Sequence, residues 1–379
     1  MEIKMIQTII RGINCHLQMS QAIRDASITK FLLVHDDAYS YLPIGDHLGE
    51  LTHATFCGFT PNPRYEDICA GVEFFRAEGC DAIVAVGGGS AMDVAKCIKL
   101  FGGMHTDKDY LDVPFQENGI PLIVLPTTAG TGSESTHFAV LYVQGEKKSV
   151  AHESLLPSIV FLDACVLRTL PHFQRKCTLL DALCQGIESL WSIRATPESV
   201  AHAETAIMAL IAHIDTYLDG QDEYMAQYIL EAANRAGQAI NITQTTAPHA
   251  MSYKITSLYG IPHGCAVALC LPEVWHYMLE HPEYCVHPAG WEGLQAAFAC
   301  VAHALGQPDA PSAVCFLIKL REWLALPTPH TQRVVDIELL TCSVNPQRLG
   351  NNPVALDEAA LRSLYTQIVL VDPAEEQKR

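Results

Sequence analysis

Residues 82–96 read Ala82-Ile-Val-Ala-Val-Gly87-Gly88-Gly89-Ser90-Ala-Met-Asp-Val-Ala-Lys96. An unbroken apolar run that includes Ile83, Val84 and Val86 fits a strand buried on both faces, as strands of a parallel sheet are. Three glycines follow, then a helical pattern over Ala91–Leu100. Glycines let a backbone come close to a pyrophosphate, and a helix start offers N–H donors and a partial positive charge. The spacing is not G-x-G-x-x-G, yet an ordinary strand-to-helix turn rarely needs three consecutive glycines. The segment therefore reads as an anion-binding loop, with Gly87, Gly88, Gly89 and Ser90 as candidate cofactor contacts.

Working outward, further apolar runs at Phe31–Val34, Leu122–Leu125, Phe138–Val143 and Ile159–Leu162 are candidate strands, with a helical pattern over Tyr65–Ala77 between them. Strands separated by helices of this length suggest an α/β layer with a mostly parallel sheet. From Pro171 the character changes to helical segments, among them Thr178–Trp191, Pro197–Leu218, Tyr224–Ile240, Ala266–Leu279, Leu294–Leu305, Pro311–Leu324 and Leu356–Val371. The expected organisation is an α/β domain over 1–170 and an all-α domain over 171–379. Length agrees: 379 residues exceed the rough prior of about 150 per domain.

Composition excludes several classes of function. Lys+Arg 24 against Asp+Glu 42 gives a net charge of −18, the opposite of the basic footprint that nucleic acid or an anionic membrane needs. No apolar run reaches the ~18 residues of a membrane span, and MEIKMIQTII at the N-terminus does not read as a signal peptide. The 14 Cys are scattered without a C-x-x-C pair, as expected of thiols in a reducing cytoplasm and not of a disulfide frame.

A second loop, Pro126-Thr-Thr-Ala-Gly-Thr-Gly-Ser-Glu134, also follows an apolar run. Its hydroxyls suit a ribose or phosphate, so Thr127 and Thr128 join the candidate contacts. Phe31-Leu-Leu-Val-His-Asp36-Asp37 ends a strand in two acids. A carboxylate there accepts hydrogen bonds from an adenosine 2′-OH and repels a 2′-phosphate, which favours NAD(H) over NADP(H).

In the second half, Asp181 and Gln185 stand four residues apart and share a helix face, while His249 and His263 lie fourteen apart. One carboxylate, one amide oxygen and two imidazoles compose a mixed oxygen and nitrogen set for Fe2+, Mn2+ or Zn2+. Spacing alone is a weak signal, because most of the 17 His must be structural.

Taken together, GGGSAMDVAK (87–96), PTTAGTGSE (126–134), Lys147 ten residues before Pro157, DALCQGIES (181–189) and the His249/His263 pair closing on Pro-His-Gly form a specific pattern. The chain resembles the iron-containing (group III) alcohol dehydrogenase family over almost its whole length, with the fold shared by dehydroquinate synthase-like proteins. The resemblance implies a divalent metal in the cleft between an N-terminal dinucleotide-binding domain and a C-terminal helical one. It places Asp181, His249 and His263 on metal-ligand positions. Asp36 falls on the adenosine-ribose acid, and Asn62, Thr127, Thr128 and Lys147 fall on other cofactor-contacting positions. It also implies a homodimer or higher homo-oligomer.

Two positions depart from the family pattern. Gln185 stands where histidine is usual, which makes a weaker and harder donor. Tyr253 replaces a histidine often found four residues after His249, so the expected proton route runs through its hydroxyl or through water. The Gln185 variant, with Thr245-Thr-Ala-Pro-His-Ala-Met-Ser-Tyr253 and Ser133-Glu-Ser-Thr-His-Phe138, resembles the subgroup of sulfoacetaldehyde and phosphonoacetaldehyde reductases. Thr136, His137, Thr245 and Thr246 are the expected donors to a substrate oxyanion. A sulfonate carries one charge and tolerates a cleft poor in cations, which favours sulfoacetaldehyde, reduced to isethionate, over phosphonoacetaldehyde or a neutral short-chain alcohol. Two other classes stay open: a dehydroquinate synthase-like lyase, for which the cleft segments hold few Arg or Lys, and a non-catalytic scaffold, against which Asp181, His249 and His263 speak.

Overall fold

The structure, a computed structural model, describes residues 7–220, 222–331 and 335–371. The chain divides into two units. One runs up to Arg175 and includes Asp215–Gly237, and the other holds Lys176–Ile214 and the chain from Gln238 onward.

In the first unit, strands β1 (Thr8–Arg11), β2 (Phe31–His35), β3 (His53–Phe56), β4 (Ala82–Gly87), β5 (Leu122–Pro126) and β8 (Ile159–Leu162) form one sheet in the order β1-β8-β5-β4-β2-β3. Every pairing in it is parallel. Strands β6 (Phe138–Val143) and β7 (Glu146–Ala151) form a separate antiparallel hairpin. This corrects the expectation that Phe138–Val143 belongs to the parallel layer. Gln144 and Gly145 both take positive φ, at 53° and 82°, the backbone of a tight hairpin turn, so the run folds onto its own successor. The edge strands β1 and β3 escaped the sequence reading because each is four residues long and only partly buried.

Helices α1 (Met19–Asp25), α2 (Gly45–Leu48), α3 (Tyr65–Ala77) and α4 (Gly89–Gly102) accompany the sheet. Alternate residues Phe31, Leu33, Val84, Val86, Ile123 and Leu125 bury one face together with Met19 and Ile23 of α1 and Leu48 of α2. β2 leads outward to β3, whereas β4 lies on its other side. The chain thus reverses its direction of travel across the sheet between β2 and β4, the place where parallel α/β sheets open a crevice at the strand C-termini.

Helices α5 (His172–Trp191), α6 (Pro197–Asp219) and α7 (Glu223–Thr243) each have residues in both units. The second unit continues with α8 (Ala247–Tyr259), α9 (His263–Glu280), α10 (Gly290–Ala304), α11 (Ala310–Trp323), α12 (Val335–Ser343), α13 (Pro346–Leu349) and α14 (Glu358–Ile368). Its core includes the buried Trp191, Trp275 and Phe298, whose rings meet at 5.3–6.0 Å. The helical run expected to reach Val371 stops at Ile368. Leu370–Val371 (β10) instead pairs in parallel with His330–Thr331 (β9), the one pair of strands described in this unit. Among the described residues, no helix is long and apolar enough to cross a membrane.

Candidate metal centre and phosphate-binding loop

Asp181 and Gln185 both lie on α5, one turn apart, and both are buried. His249 lies in the first turn of α8, and His263 is the first residue of α9. Two backbone devices bring them together. Gly260 ends α8 in the left-handed region (φ +67°), and Pro262 then serves as the N-cap of α9. Gly264 lets α9 start directly against α5: a Cβ there would lie 1.9 Å from the Cys177 carbonyl oxygen and 3.0 Å from the Asp181 backbone nitrogen.

One ligand atom from each of Asp181, His249 and His263 lies within 4.8 Å of the others. His249 Nε2 is 3.3 Å from Asp181 Oδ1, and His263 Nε2 is 3.9 Å from the same oxygen. The 3.3 Å approach is an ion-pair distance without hydrogen-bond geometry, for His249 Nε2 is buried and has no hydrogen-bond partner.

The second nitrogen of each ring is held in place. His249 Nδ1 lies 2.5 Å from Glu188 Oε1. Glu188, on α5, also accepts from the Thr246 backbone N–H at 2.5 Å and the Thr246 hydroxyl at 2.9 Å. The Ser252 hydroxyl donates to the His249 carbonyl oxygen at 2.8 Å and lies 3.3 Å from His263 Nδ1. Its proton being spent, Ser252 accepts from Nδ1–H, and His263 Nε2 keeps its lone pair. Both rings thus turn Nε2 toward Asp181, the tautomer that a cation needs.

Burial disfavours a charged His249. The negative charge of Glu188, the facing Asp181 carboxylate and the hydrogen bond that His249 donates to Glu188 outweigh this and hold the ring at about 10. A divalent cation at Nε2 competes with that proton. The donors fit such a cation: one carboxylate and two imidazoles are borderline ligands suited to Fe2+, Mn2+ or Zn2+.

Sequence reasoning missed Glu188 and Ser252. The signal for Glu188 lay in the DALCQGIES segment, since 181, 185 and 188 follow the i, i+4, i+7 rhythm of one helix face. Thr246, expected as a substrate donor, has its hydroxyl between Glu188 and the Trp191 indole N–H at 3.0 Å, with the residue 1% exposed. It supports the centre from inside the protein. Thr245 is half-buried, and its carbonyl accepts from Asn351 Nδ2 at 3.0 Å. The ring of Tyr253 stacks on His263 at 5.4 Å.

In the first unit, β4 passes through Gly88, the N-cap residue of α4, directly into that helix. The glycines are required for space and not for φ, since Gly88 has φ −80°. A Cβ on Gly87 would lie 2.6 Å from Ala91 Cβ and 2.7 Å from Asp36 Oδ2, and one on Gly89 would lie 2.9 Å from Thr131 Cγ2. Asp36, at the end of β2, accepts from the Gly88 N–H at 2.9 Å and from the Ala38 N–H at 3.1 Å. The Thr127 N–H donates to the Gly87 carbonyl at 3.0 Å, and Thr128 borders Gly88. Asp36, Gly87–Gly89, Thr127 and Thr128 therefore gather at the C-terminal ends of β2, β4 and β5. Asn62 holds a left-handed backbone (φ 60°) beside Pro63, whose carbonyl accepts from the Tyr142 N–H. Lys147 faces Tyr142 across the β6–β7 hairpin.

Thr136, also expected as a substrate donor, is buried beneath α4. Its Oγ1 lies 2.9 Å from the Lys96 ammonium and makes 3.2 Å to the Ser133 carbonyl. Lys96 also donates to the Phe138 carbonyl at 2.8 Å, and burial pulls its ammonium down to about 8. Thr136 is thereby committed to the packing of this unit. His137 is half-buried with its ring edge-on to Phe138.

Comparison with known proteins gives concordant matches. The chain is 35% identical over 223 residues to the probable alcohol dehydrogenase EutG of Escherichia coli, which covers 57% of this chain and 56% of that protein. It is 31% identical over 318 residues to a phosphonoacetaldehyde reductase of Streptomyces viridochromogenes, covering 79% of each. Its structure superposes with a TM-score of 0.84 on the sulfoacetaldehyde reductase of Bifidobacterium kashiwanohense solved with NAD+, at 25% identity over 96% of both chains. With family models for iron-containing alcohol dehydrogenase matching residues 7–164 and for the C-terminal part of that family matching 176–326, this chain belongs to the iron-containing alcohol dehydrogenase family.

Proposed function

We propose that the chain reduces a small anionic aldehyde with NADH, sulfoacetaldehyde to isethionate being the substrate we favour. The observation that carries the reading is the gathering of Asp181, His249 and His263, the first two buried and His263 partly exposed, with both imidazoles oriented through their far nitrogens. In this reading Gln185 is a fourth ligand, one turn from Asp181. A divalent cation bound there supplies Lewis-acid polarisation of a carbonyl group. NADH supplies the hydride.

The chain's own residues do the rest. The backbone amides of Gly87–Ser90 at the start of α4 receive the pyrophosphate, and Asp36 both fixes Gly88 and favours a free ribose hydroxyl over a phosphate. Asn62, Thr127, Thr128 and Lys147 complete the cofactor contacts. Tyr253, against His263, delivers the proton from its hydroxyl. With the side chains of Thr136 and Thr246 engaged internally, His137 and Thr245 remain as donors to the substrate anion.

The two relatives named for anionic two-carbon aldehydes support the substrate class. The sulfonate is favoured by its single charge in a protein of net −18. Phosphonoacetaldehyde, reduced to 2-hydroxyethylphosphonate, is the second reading, favoured by the 31% identity to a reductase named for it. Fourteen free thiols, eight of them buried, suit a reducing cytoplasm, where we place the protein as a homodimer or larger homo-oligomer.

The test is NADH oxidation with sulfoacetaldehyde, phosphonoacetaldehyde, acetaldehyde, propanal and succinic semialdehyde, adding Fe2+, Mn2+ or Zn2+ in turn. The expected result is a kcat/KM for sulfoacetaldehyde at least tenfold above the uncharged aldehydes, with Tyr253→Phe lowering kcat. Equal rates on acetaldehyde and propanal would sink the anionic-substrate reading.

A further inference from the structure

We propose that Cys177 and Cys265 form a redox-modification site: a hydroperoxide closes them to a disulfide, and closure weakens cation binding at Asp181 and His263. The proposal rests on the metal reading above and extends it to a part of the centre that binds nothing itself.

Cys177 Sγ and Cys265 Sγ lie 3.0 Å apart, and the two residues are 3% and 0% exposed. Among the described residues this is the one sulfur–sulfur hydrogen-bond contact in a chain whose cysteines are all free. The pair is placed where it matters. Cys177 stands one helical turn before Asp181 on α5, and Cys265 stands two residues after His263 on α9. The side chain of His263, two residues before Cys265, is 34% exposed, so solvent comes nearest the buried pair on that side and a small oxidant would enter there.

Bond formation would shorten the gap to roughly 2.05 Å. The two helices cannot close further as rigid bodies, because Gly264 already touches the Cys177 carbonyl so closely that a Cβ would not fit. The contraction of about 1 Å then falls on the torsions of the two Cys side chains and on the turns that carry Asp181 and His263. Metal–ligand distances tolerate only about 0.2 Å, so the ligand set degrades.

The chemistry balances. One thiol, as thiolate, attacks the peroxide oxygen, breaking the O–O bond to give a sulfenic acid and releasing water from hydrogen peroxide. The second sulfur displaces the sulfenic oxygen as a second water, so two thiols lose two electrons and two protons while the peroxide is reduced. Linkage makes the effect reciprocal: whatever factor the disulfide removes from cation affinity, bound cation removes from the tendency to form the disulfide.

The experiment treats the full-length protein with hydrogen peroxide, maps its peptides, and measures Zn2+ affinity by competition with a chromophoric chelator. Zn2+ is chosen because it has no redox chemistry of its own. We expect a Cys177–Cys265 cross-linked peptide lighter by two hydrogens and a Zn2+ Kd raised about tenfold or more, the scale on which disturbing a ligand's support acts. Dithiothreitol should restore both. Cys177→Ser and Cys265→Ser should each bind Zn2+ as the untreated protein does and lose the response to peroxide. Two results overturn the proposal: both thiols still open to alkylation after peroxide and denaturation, or a cross-link with unchanged Zn2+ affinity. If the reduced protein takes up no Zn2+, the metal reading and the coupling fall together, while mapping scores the cross-link on its own.

Discussion

At the scale of single residues, the centre is governed by a side chain that touches no candidate reacting atom. Glu188 is fully buried and accepts from His249 Nδ1, the Thr246 N–H and the Thr246 hydroxyl. A buried carboxylate is costly unless its charge is used. Here two carboxylates, Asp181 and Glu188, flank one imidazole, so a divalent cation at Nε2 brings the group to electrical neutrality. Glu188→Gln keeps the shape and removes that charge. The expected outcome is a 10- to 100-fold weaker metal Kd with NADH binding unchanged, read by chelator competition and fluorescence titration. Unchanged metal affinity would reduce Glu188 to a packing residue. Sequence reading reached Asp181, His249 and His263 through the family resemblance, their spacing alone being a weak signal. It named Thr246 and Thr136 by their hydroxyls alone, and a hydroxyl's partners are set by tertiary contacts that no spacing reveals.

At the scale of elements, the start of α9 against α5 decides whether the ligands meet. Gly264→Ala places a methyl group 1.9 Å from a backbone oxygen, a clash that no rotamer relieves because the obstacle is main chain. The expected cost is about 3 kcal/mol of stability, at the upper end of ordinary overpacking, with a loss of metal binding larger than the loss of NADH binding. Denaturant titration and metal analysis of the folded fraction would show it, and a variant with wild-type metal content would refute the role given to this glycine. Elements with strong periodicity were legible: the segment over 65–77 is helical as read, and the central strands differ by a residue at most. The hairpin strand Phe138–Val143, which is only alternately buried, was misplaced because an apolar run in the sequence looks the same in a parallel layer and in a hairpin. Only the positive φ at Gln144 and Gly145 separates the two. The helix α8, which carries His249, was not read as a helix either, since Thr245-Thr-Ala-Pro resembles a loop until Pro248 is seen in its first turn.

At the scale of the whole molecule, 18 excess negative charges favour cations and disfavour an anionic substrate, so pH acts on stability and on metal binding through the same buried groups. His249 makes this measurable. Its ring is held at about 10 in the folded protein against 6.5 for a free histidine. A group whose folded pKa is raised contributes stability fully present below the unfolded value, here 6.5, and lost as pH rises through the folded value. Without a cation, this group therefore removes up to about 1.4 kcal/mol of stability per pH unit between those limits. With a cation on Nε2 the proton is already displaced, and His249 adds no such slope. The other titrating groups act in both forms and largely cancel in the difference. Thermal unfolding with and without a chelator, at several pH values across this window, should show a gap in Tm that widens steadily with pH. Apparent metal affinity should rise by up to tenfold per unit over the same range. Two Tm curves running parallel from pH 6.5 upward would mean that the cation does not take the place of the His249 proton.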